Sequence, residues 1–323
     1  MNRDRVLLVT HSRDAFTVDR VAEGVARRGA RPLRVDSDRF PTELSLSMEG
    51  DGDGFESTLE VDHERVSSRE VRAVWRRRVW TPRLPDDLDG AFREGCARES
   101  STTLMAWLAS LTEARHIDLP ERTRTAEDKA LQLRLARDAG LRIPRTIVTN
   151  DPARVRAFRA TLRGEMVTKM QTALSQSMGG SSFFVHTSVV RDDDLDDLDG
   201  LRLCPMIFQE RIEKRHELRV IYVAGALFAG LIDATQSAGG QVDWRMAKPD
   251  EVRWQRGEVP DGVAAALRAM MEALGLAYGA IDLIVTPQGE HVFLEVNPGG
   301  EWGMIERDLG YPIGDAIAAA LTR

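Results

Sequence analysis

Two apolar, β-rich runs, Ile281–Thr286 and His291–Val296, flank the turn-forming residues Pro287-Gln288-Gly289-Glu290. This pattern predicts a β-hairpin. Pairing Thr286 with His291 sets Val285 opposite Val292, Ile284 opposite Phe293, Leu283 opposite Leu294, Asp282 opposite Glu295 and Ile281 opposite Val296. Two carboxylates then face each other inside apolar strands, with Cβ atoms about 4.5–5.5 Å apart, where like charges repel. Because side chains alternate with period two, Asn297 points the same way as Glu295. A cation between the acids would remove the repulsion. Two carboxylates and an amide oxygen are hard ligands that suit Mg²⁺, with waters and substrate phosphates filling its octahedron. A solvated face carrying ordinary acids, or a carboxylate held by an arginine, fits the same residues.

The remaining composition bounds the alternatives. A chain of 323 residues that is 42% hydrophobic supports a large core divided into two or three lobes. Its net charge of −7, with acids and bases interspersed, argues against nucleic acid as a partner. Cys96 and Cys204 have neither metal-ligand spacing nor the pattern of a disulfide framework, which reads as reduced thiols in a cytoplasmic protein. The apolar run after MNRDR is too short for a signal peptide, and no stretch approaches the roughly 18 apolar residues of a membrane span. The acidic "RDDDLDDLDG", 191–200, reads as a solvated connector.

Along the chain, "RVLLVT" (5–10), a helix ending at Gly29 and "RPLRVD" form a β-α-β opening, which favours a parallel sheet. The first strand is not followed by Gly-x-Gly-x-x-Gly, so the dinucleotide fingerprint is absent. A hairpin is predicted around Gly50–Gly54, a strand over 71–80 carrying Arg76, Arg77 and Arg78, and a helix-rich stretch over 88–112. Thr125 and Asp128 match a capping box. Leu131, Leu135 and Ala139 form the stripe of the helix that follows, and Gly140 is its stop. Strands are expected at Arg145–Thr149 and within 164–170, followed by a small-residue loop and a further strand. Three strand-like runs between 204 and 233 are broken by the charged Arg211–His216 link and by Ala224-Gly225. An amphipathic helix precedes the hairpin, and "PIGDAIAAAL" closes the chain as a last helix.

Several charged residues sit where a charge needs a reason. Lys169 lies in an apolar strand and needs a negative partner, unless it snorkels. Lys129 occupies the first turns of a helix, where the dipole disfavours a cation. The loop Ser175–Ser182 has a composition that lets backbone amides approach phosphates. Glu210 and Glu217 flank the charged link, and Arg219 shares a strand face with Glu217. Each of these, taken singly, also fits a surface position.

Their order resembles the ATP-grasp ligases: a lysine at a helix start, a lysine on a strand, a small-residue lid, "FQERIEKRHELR", then the Asp…Glu-x-Asn hairpin of "FLEVNPGGEWG". The resemblance implies an α+β and α/β architecture, an ATP-grasp fold behind an N-terminal parallel-sheet domain. Its parts would be 1–115, a central lobe 116–195 and a C-terminal lobe 196–323. It further implies that Lys129 and Lys169 contact the α- and β-phosphates, and that Gln209, Glu210 and Ile212 form the adenine hinge with Glu217 on the ribose. Ser177, Gly179 and Gly180 would belong to the nucleotide lid, and Asp282, Glu295 and Asn297 would hold Mg²⁺. Arg219 and Arg245 are assigned to the γ-phosphate or the acceptor carboxylate, with a surface salt bridge the other reading of Arg245.

"TVDRVAEGVARRGARPLRVDSDRFP", "AVWRRRVWTPRLP" and "DKALQLRLARDAGLRIPRTIVTND" are similar, more narrowly, to the graspetide synthetases, the microviridin-type maturases. Here Asp128 stands before the lysine, where relatives usually have asparagine, and "ARHIDLPERT" replaces their Trp-x-Asn-x-Pro run. The implied reaction phosphorylates an Asp or Glu side chain of a ribosomal precursor peptide with ATP. A Thr/Ser hydroxyl or Lys amine then attacks the acyl phosphate and closes an ester or amide ring. The implied partner is the leader plus core of that peptide, and the implied assembly is a homodimer or higher homo-oligomer. Leader docking around Phe183–Thr187 is one reading of Phe183 and Phe184; core packing is the other. Arg76–Arg78 could meet an acidic core peptide, or mark a strand with one wet face. His186, His216 and His291 are candidate bases by type, with His216 foremost. The competing function is an ATP-grasp ligase that adds an amino acid to a peptide or small carboxylate, and the non-enzymatic one a nucleotide-binding scaffold.

Overall fold

The computed structural model describes residues 3–51, 54–171, 187–233 and 253–323. The chain opens with β1 (Arg5–Thr10), α1 (Phe16–Arg27) and β2 (Arg31–Asp36). Gly29, at φ +78°, supplies the left-handed turn between helix and strand. A separate antiparallel sheet follows, of β3 (Ser45–Asp51), β4 (Gly54–Val61) and β5 (Glu64–Ser67). Then come β6 (Val71–Arg76), α2 (Gly90–Ser110) and β7 (Arg115–Ile117). The strands β2, β1, β6 and β7 lie in that order and are all parallel, as the β-α-β opening predicts. β1 is wholly buried, which explains the apolar run from Val6 to Val9.

Two helices lead out of this domain, α3 (Pro120–Ala126) and α4 (Lys129–Asp138). Asp128 caps α4 by itself, its carboxylate accepting from Ala130 N at 2.9 Å and Leu131 N at 3.0 Å. The box expected from Thr125 and Asp128 is not formed, because Thr125 lies inside α3. At the other end Gly140 has φ +90°, and Gly140 N and Leu141 N donate to Arg137 O and Ala136 O.

The central sheet is β10-β9-β11-β8, built from β8 (Thr146–Thr149), β9 (Met166–Lys169), β10 (Ser188–Val190) and β11 (Met206–Glu210), with α5 (Pro152–Ala160) on one face. β11 falls within the 196–323 segment expected to form the C-terminal lobe, yet its backbone is hydrogen-bonded between β8 and β9. The central sheet therefore runs on to Glu210.

The last sheet has the order β14-β13-β12-β15-β16: β12 (His216–Val223), β13 (Ala226–Ile232), β14 (Trp254–Arg256), β15 (Tyr278–Val285) and β16 (His291–Asn297). Between β14 and β15 runs α6 (Asp261–Leu274), and the chain ends in α7 (Gly303–Leu309) and α8 (Ile313–Thr322). One face of this sheet, with Leu218, Val220, Ile281, Leu283, Phe293 and Val296, packs on α4 and α6. At one end of the opposite face Ile221, Val223, Tyr278 and Ala280 share a core with Val6, Leu8, Val18 and Val21 of the N-terminal domain and with Ile317 of α8. The other end of that face carries Glu217, Arg219, Asp282, Glu295 and Asn297. The N-terminal and C-terminal sheets are thus packed through one continuous apolar body, and the polar residues are left at its margin.

Candidate functional site

The hairpin sets Asp282 opposite Glu295, Ile281 opposite Val296 and Ala280 opposite Asn297. The ladder then slips: Leu283 faces Phe293, Ile284 faces Val292 and Val285 faces His291. Leu294 is a β-bulge, so the regular pairing expected from the turn holds at the carboxylates and fails beyond them by one residue. Burial supplies the reason. A regular ladder would put Phe293 on the acid face, whereas the extra residue turns it into the core beside Leu283. The bulge lets an apolar Phe293 and a polar Glu295 each reach the correct side.

Glu295 and Asn297 do share a face, with Asn297 Nδ2 donating to Glu295 Oε1 at 3.1 Å. Arg219 on the neighbouring strand lies directly across from Asp282, and its Nη1 is 2.7 and 2.8 Å from the two carboxylate oxygens. Burial opposes the charge on Arg219, but the Asp282 carboxylate outweighs it and raises the guanidinium above its ordinary value. Lys129, the first residue of α4, places Nζ 3.1 Å from Glu295 Oε2, and Lys169, on β9 of the central sheet, places Nζ 4.0 Å from the same oxygen. Lys129, Lys169, Glu295 and Asp282 each retain 13–15% side-chain exposure, so they are neither sealed in the core nor on an open face. Among the described residues, cations from three elements, Lys129, Lys169 and Arg219, thus approach the two carboxylates. The carboxylate–arginine pairing and the metal-ligand geometry, alternatives from sequence, are here compatible: Asp282 serves Arg219 and still faces Glu295.

On the central sheet Gln209 is buried, its Nε2 donating to Thr146 Oγ1 at 2.9 Å, and Glu210 Oε1 accepts from Arg145 N at 3.0 Å. Ile212, half-buried, follows in the link to β12. Glu217 accepts from Lys214 Nζ at 2.6 Å, and the Lys214 side chain is only 7% exposed. Hinge and ribose candidates therefore sit at the junction of the central and C-terminal sheets. Lid residues Ser177, Gly179 and Gly180, together with Phe183, Phe184, His186 and Arg245, lie outside the described residues. His216 faces Val285, which in turn faces His291, at the turn end of the hairpin. That is three residues, about 10 Å, along β15 from Asp282. Burial lowers the pKa of both histidines.

β6 ends at Arg76, so the three arginines do not alternate along one wet strand. Arg76 Nη2 donates to Thr123 Oγ1 of α3. Arg77, 4% exposed, leaves the N-terminal sheet to bond Gly299 O at 3.0 Å and Glu301 Oε2 at 2.6 Å, and Arg78 approaches the same carboxylate at 3.3 Å. Desolvation pushes Glu301 up, yet the guanidinium charge of Arg77 and the amides of Gly303 and Trp302 bring it net below its ordinary value. The "NPGG" turn is sterically required. A Cβ on Gly300 would lie 2.3 Å from Ala280 Cβ and 2.9 Å from Arg219 Nη2. Sequence reasoning did not single out Gln132, Lys214, Arg77 as a buried strut, or Glu301. A charged or amide residue within an apolar stripe was the available signal for Gln132.

Two carboxylates and an amide on one face suit a hard divalent ion, and lysines from α4 and from the central sheet suit the oxygens of a polyphosphate. Among the described residues no cluster of three or more His, Cys, Asp or Glu could hold a metal ion, and no helix is long and apolar enough to cross a membrane. Residues 5–124 match the MvdD pre-ATP grasp domain. No protein of curated function matches the chain. The macrocyclase MdnB from Microcystis aeruginosa MRC is 44% identical over 98% of this chain and 99% of its own, with a TM-score of 0.82. A RiPP-associated ATP-grasp ligase from Chryseobacterium gregarium, solved with ADP and a leader and core peptide, is 32% identical over 99% and 96%, with a TM-score of 0.92. The ATP-grasp ligase PsnB, solved with a phosphomimetic variant of its minimal precursor, Mg and ADP, is 26% identical over 99% and 98%, with a TM-score of 0.74. The chain belongs to the graspetide-synthetase family of ATP-grasp ligases.

Proposed function

We propose that this protein is an ATP-dependent macrocyclase. It phosphorylates Asp or Glu side chains of a ribosomal precursor peptide and joins them to Thr/Ser hydroxyls or Lys amines of the same peptide. One observation carries the reading: Lys129, on α4 packed against the C-terminal sheet, and Lys169, on the central sheet, converge on Glu295 Oε2 across from Asp282. A cleft so charged accepts a polyphosphate tail together with a divalent ion. Asp282, Glu295 and Asn297 would hold Mg²⁺, which when bound neutralises charge on the β- and γ-phosphates.

In the first step a substrate carboxylate oxygen bonds the γ-phosphorus, the bond to the β-bridging oxygen breaks, and ADP leaves. In the second, the hydroxyl or amine attacks the acyl carbon, inorganic phosphate departs, and the nucleophile's proton passes to phosphate or water. This chain's residues act by position and charge. Lys129 and Lys169 exchange Glu295 for phosphate oxygens. Arg219, anchored on Asp282 and on Glu301 O, would act through its positive charge on the γ-phosphate or the acceptor carboxylate. Gln209, Glu210 and Ile212 border the base, and Glu217, aimed by Lys214, the ribose. The similar ligases solved with leader and core peptide or with a minimal precursor support a peptide substrate over a free amino acid. The free Cys96 and Cys204 fit a reducing cytoplasm. Membership of the family supports a homodimer or higher assembly, to be read by light scattering.

Incubation with the precursor peptide, ATP and Mg²⁺, followed by mass spectrometry, tests the reading. Each ring should remove one water and release one ADP. A mass gain equal to an added amino acid would instead mark a peptide-extending ligase.

A further inference from the structure

β16 lies at the edge of its sheet, yet its outer side is not open. Phe293 N donates to Arg142 O at 2.8 Å on one side of the Leu294 bulge. On the other side the strand meets a side chain. Gln132, fully buried on α4, accepts from Val296 N at 3.0 Å through Oε1 and donates to Val296 O at 2.8 Å through Nε2. The same Nε2 reaches Ala126 O at the end of α3 at 2.5 Å. The amide thus pairs with Val296 as a neighbouring strand would, and it does so between Glu295 and Asn297. The outward-facing groups of Phe293 and Val296 are three residues apart instead of two, which is the signature of the bulge they bracket. Lys129 lies one turn before Gln132 on the same helix, and residues three apart share a face. One buried amide therefore ties together the helix that carries Lys129 and the strand that carries Glu295 and Asn297. Lys169, by contrast, belongs to the central sheet.

We propose that Gln132 is a positioning residue for the nucleotide and metal cleft: it holds Lys129, Glu295 and Asn297 in one rigid register, which Lys169 approaches from the central sheet. This rests on the ATP-grasp reading of the cleft. A leucine or methionine would fill the volume and supply the apolar contact, but it would leave Val296 N–H and C=O buried without partners and free the strand to shift against the helix.

Calorimetry on the full chain, with ADP in the presence and absence of Mg²⁺, tests the proposal without a peptide. Gln132→Met should weaken Mg²⁺-dependent ADP binding roughly 10- to 100-fold, the loss expected when the groups that orient metal ligands are removed. In turnover it should raise the Mg²⁺ concentration for half-maximal rate and lower kcat, with KM for the peptide little changed. Should that variant fail to fold, Gln132→Asn, whose amide is one methylene short, should give the same Mg²⁺ signature. Leu133→Ala, a buried apolar neighbour on the same helix, serves as the control and should lower Tm while leaving Mg²⁺·ADP affinity within about twofold of the parent. Parental affinity in Gln132→Met, or an equal loss in Leu133→Ala, would overturn the proposal. A parent that binds Mg²⁺·ADP but closes no ring refutes the macrocyclase reading alone. A parent that binds no Mg²⁺·ADP refutes both.

Discussion

Asp282 carries a load that Glu295 does not: it neutralises Arg219, which is 8% exposed and bonded to both its oxygens. Glu295 is approached by two lysines, Lys129 at 3.1 Å and Lys169 at 4.0 Å, so neither cation depends on it as Arg219 depends on Asp282. The two acids should therefore separate in substitution. Asp282→Asn and Glu295→Gln should both reduce precursor turnover by about 100-fold or more, on the scale of losing one electrostatic contact in a catalytic site. Only Asp282→Asn should also cost stability, about 3–5 kcal/mol, because it strands a buried guanidinium. Thermal unfolding beside mass-spectrometric turnover checks this; equal losses of Tm in the two variants would be the contrary result. The acids were legible in sequence because they interrupt apolar strands. Arg219 was legible as a charge but not as the partner of Asp282. Arg77 was misread, since three adjacent arginines suggest a surface and nothing local says that one passes into the C-terminal lobe.

At the scale of elements, the hairpin and the closing helix show what contacts between segments add. Leu294 is an insertion into an otherwise regular ladder, since Leu283–Phe293 and Asp282–Glu295 are already consecutive pairs. Deleting Leu294 should leave the chain folded, with the same pairs and the same facings on either side, but remove the extra local twist that the bulge gives the strand at Glu295 and so weaken Mg²⁺-dependent nucleotide binding. Circular dichroism with ADP titration checks both halves, and an unfolded product would show that the bulge is needed for the sheet itself. Helix α8 crosses α1 at a point where a Cβ on Gly24 would lie 2.7 Å from Ala318 Cβ. Gly24→Ala gains up to about 1 kcal/mol of helix propensity, yet it should lower Tm, since that contact forces the helices apart. Adding Ala318→Gly should restore most of the loss; a Tm increase in the single variant would contradict the close approach. Helix periodicity marked both helices from sequence. It could not show which of them pack together, because their positions are nearly 300 residues apart.

Across the whole molecule, the N-terminal sheet is fastened to the C-terminal one by a continuous apolar core and by a few buried polar struts. Asp118 is one of these. At the end of β7, it accepts from Ala277 N at 2.7 Å and Tyr278 N at 3.0 Å, at the entry to β15. Burial raises its pKa from 3.8 to about 6, against those two hydrogen bonds. A raised carboxyl means that the folded state holds the proton more tightly than the unfolded one. The contribution of Asp118 to stability is then fully present below about pH 4 and is lost as pH rises through about 6. Asp118→Asn removes the titration, so the Tm difference between variant and parent should move in favour of the variant between pH 4 and 7. Parallel Tm profiles would count against it. This joint lies beneath the sheet that carries the acids, so the same pH window bears on how firmly the N-terminal domain is seated against the cleft.

The sequence by itself determined the parallel opening domain, the order of strands and helices, and the two acids with their asparagine on one strand face. These follow from period-two and period-3.6 patterns, from turn residues and from charges placed where apolar residues belong, all of which act over a few residues. Tertiary structure alone decided the bulge at Leu294, the membership of β11 in the central sheet, the pairing of Arg219 with Asp282, and the tie of Gln132 to Val296. Each of these is settled by which distant segment supplies the partner for a buried polar group or an apolar face. That partner is chosen by the packing of the whole chain, and no local pattern records it.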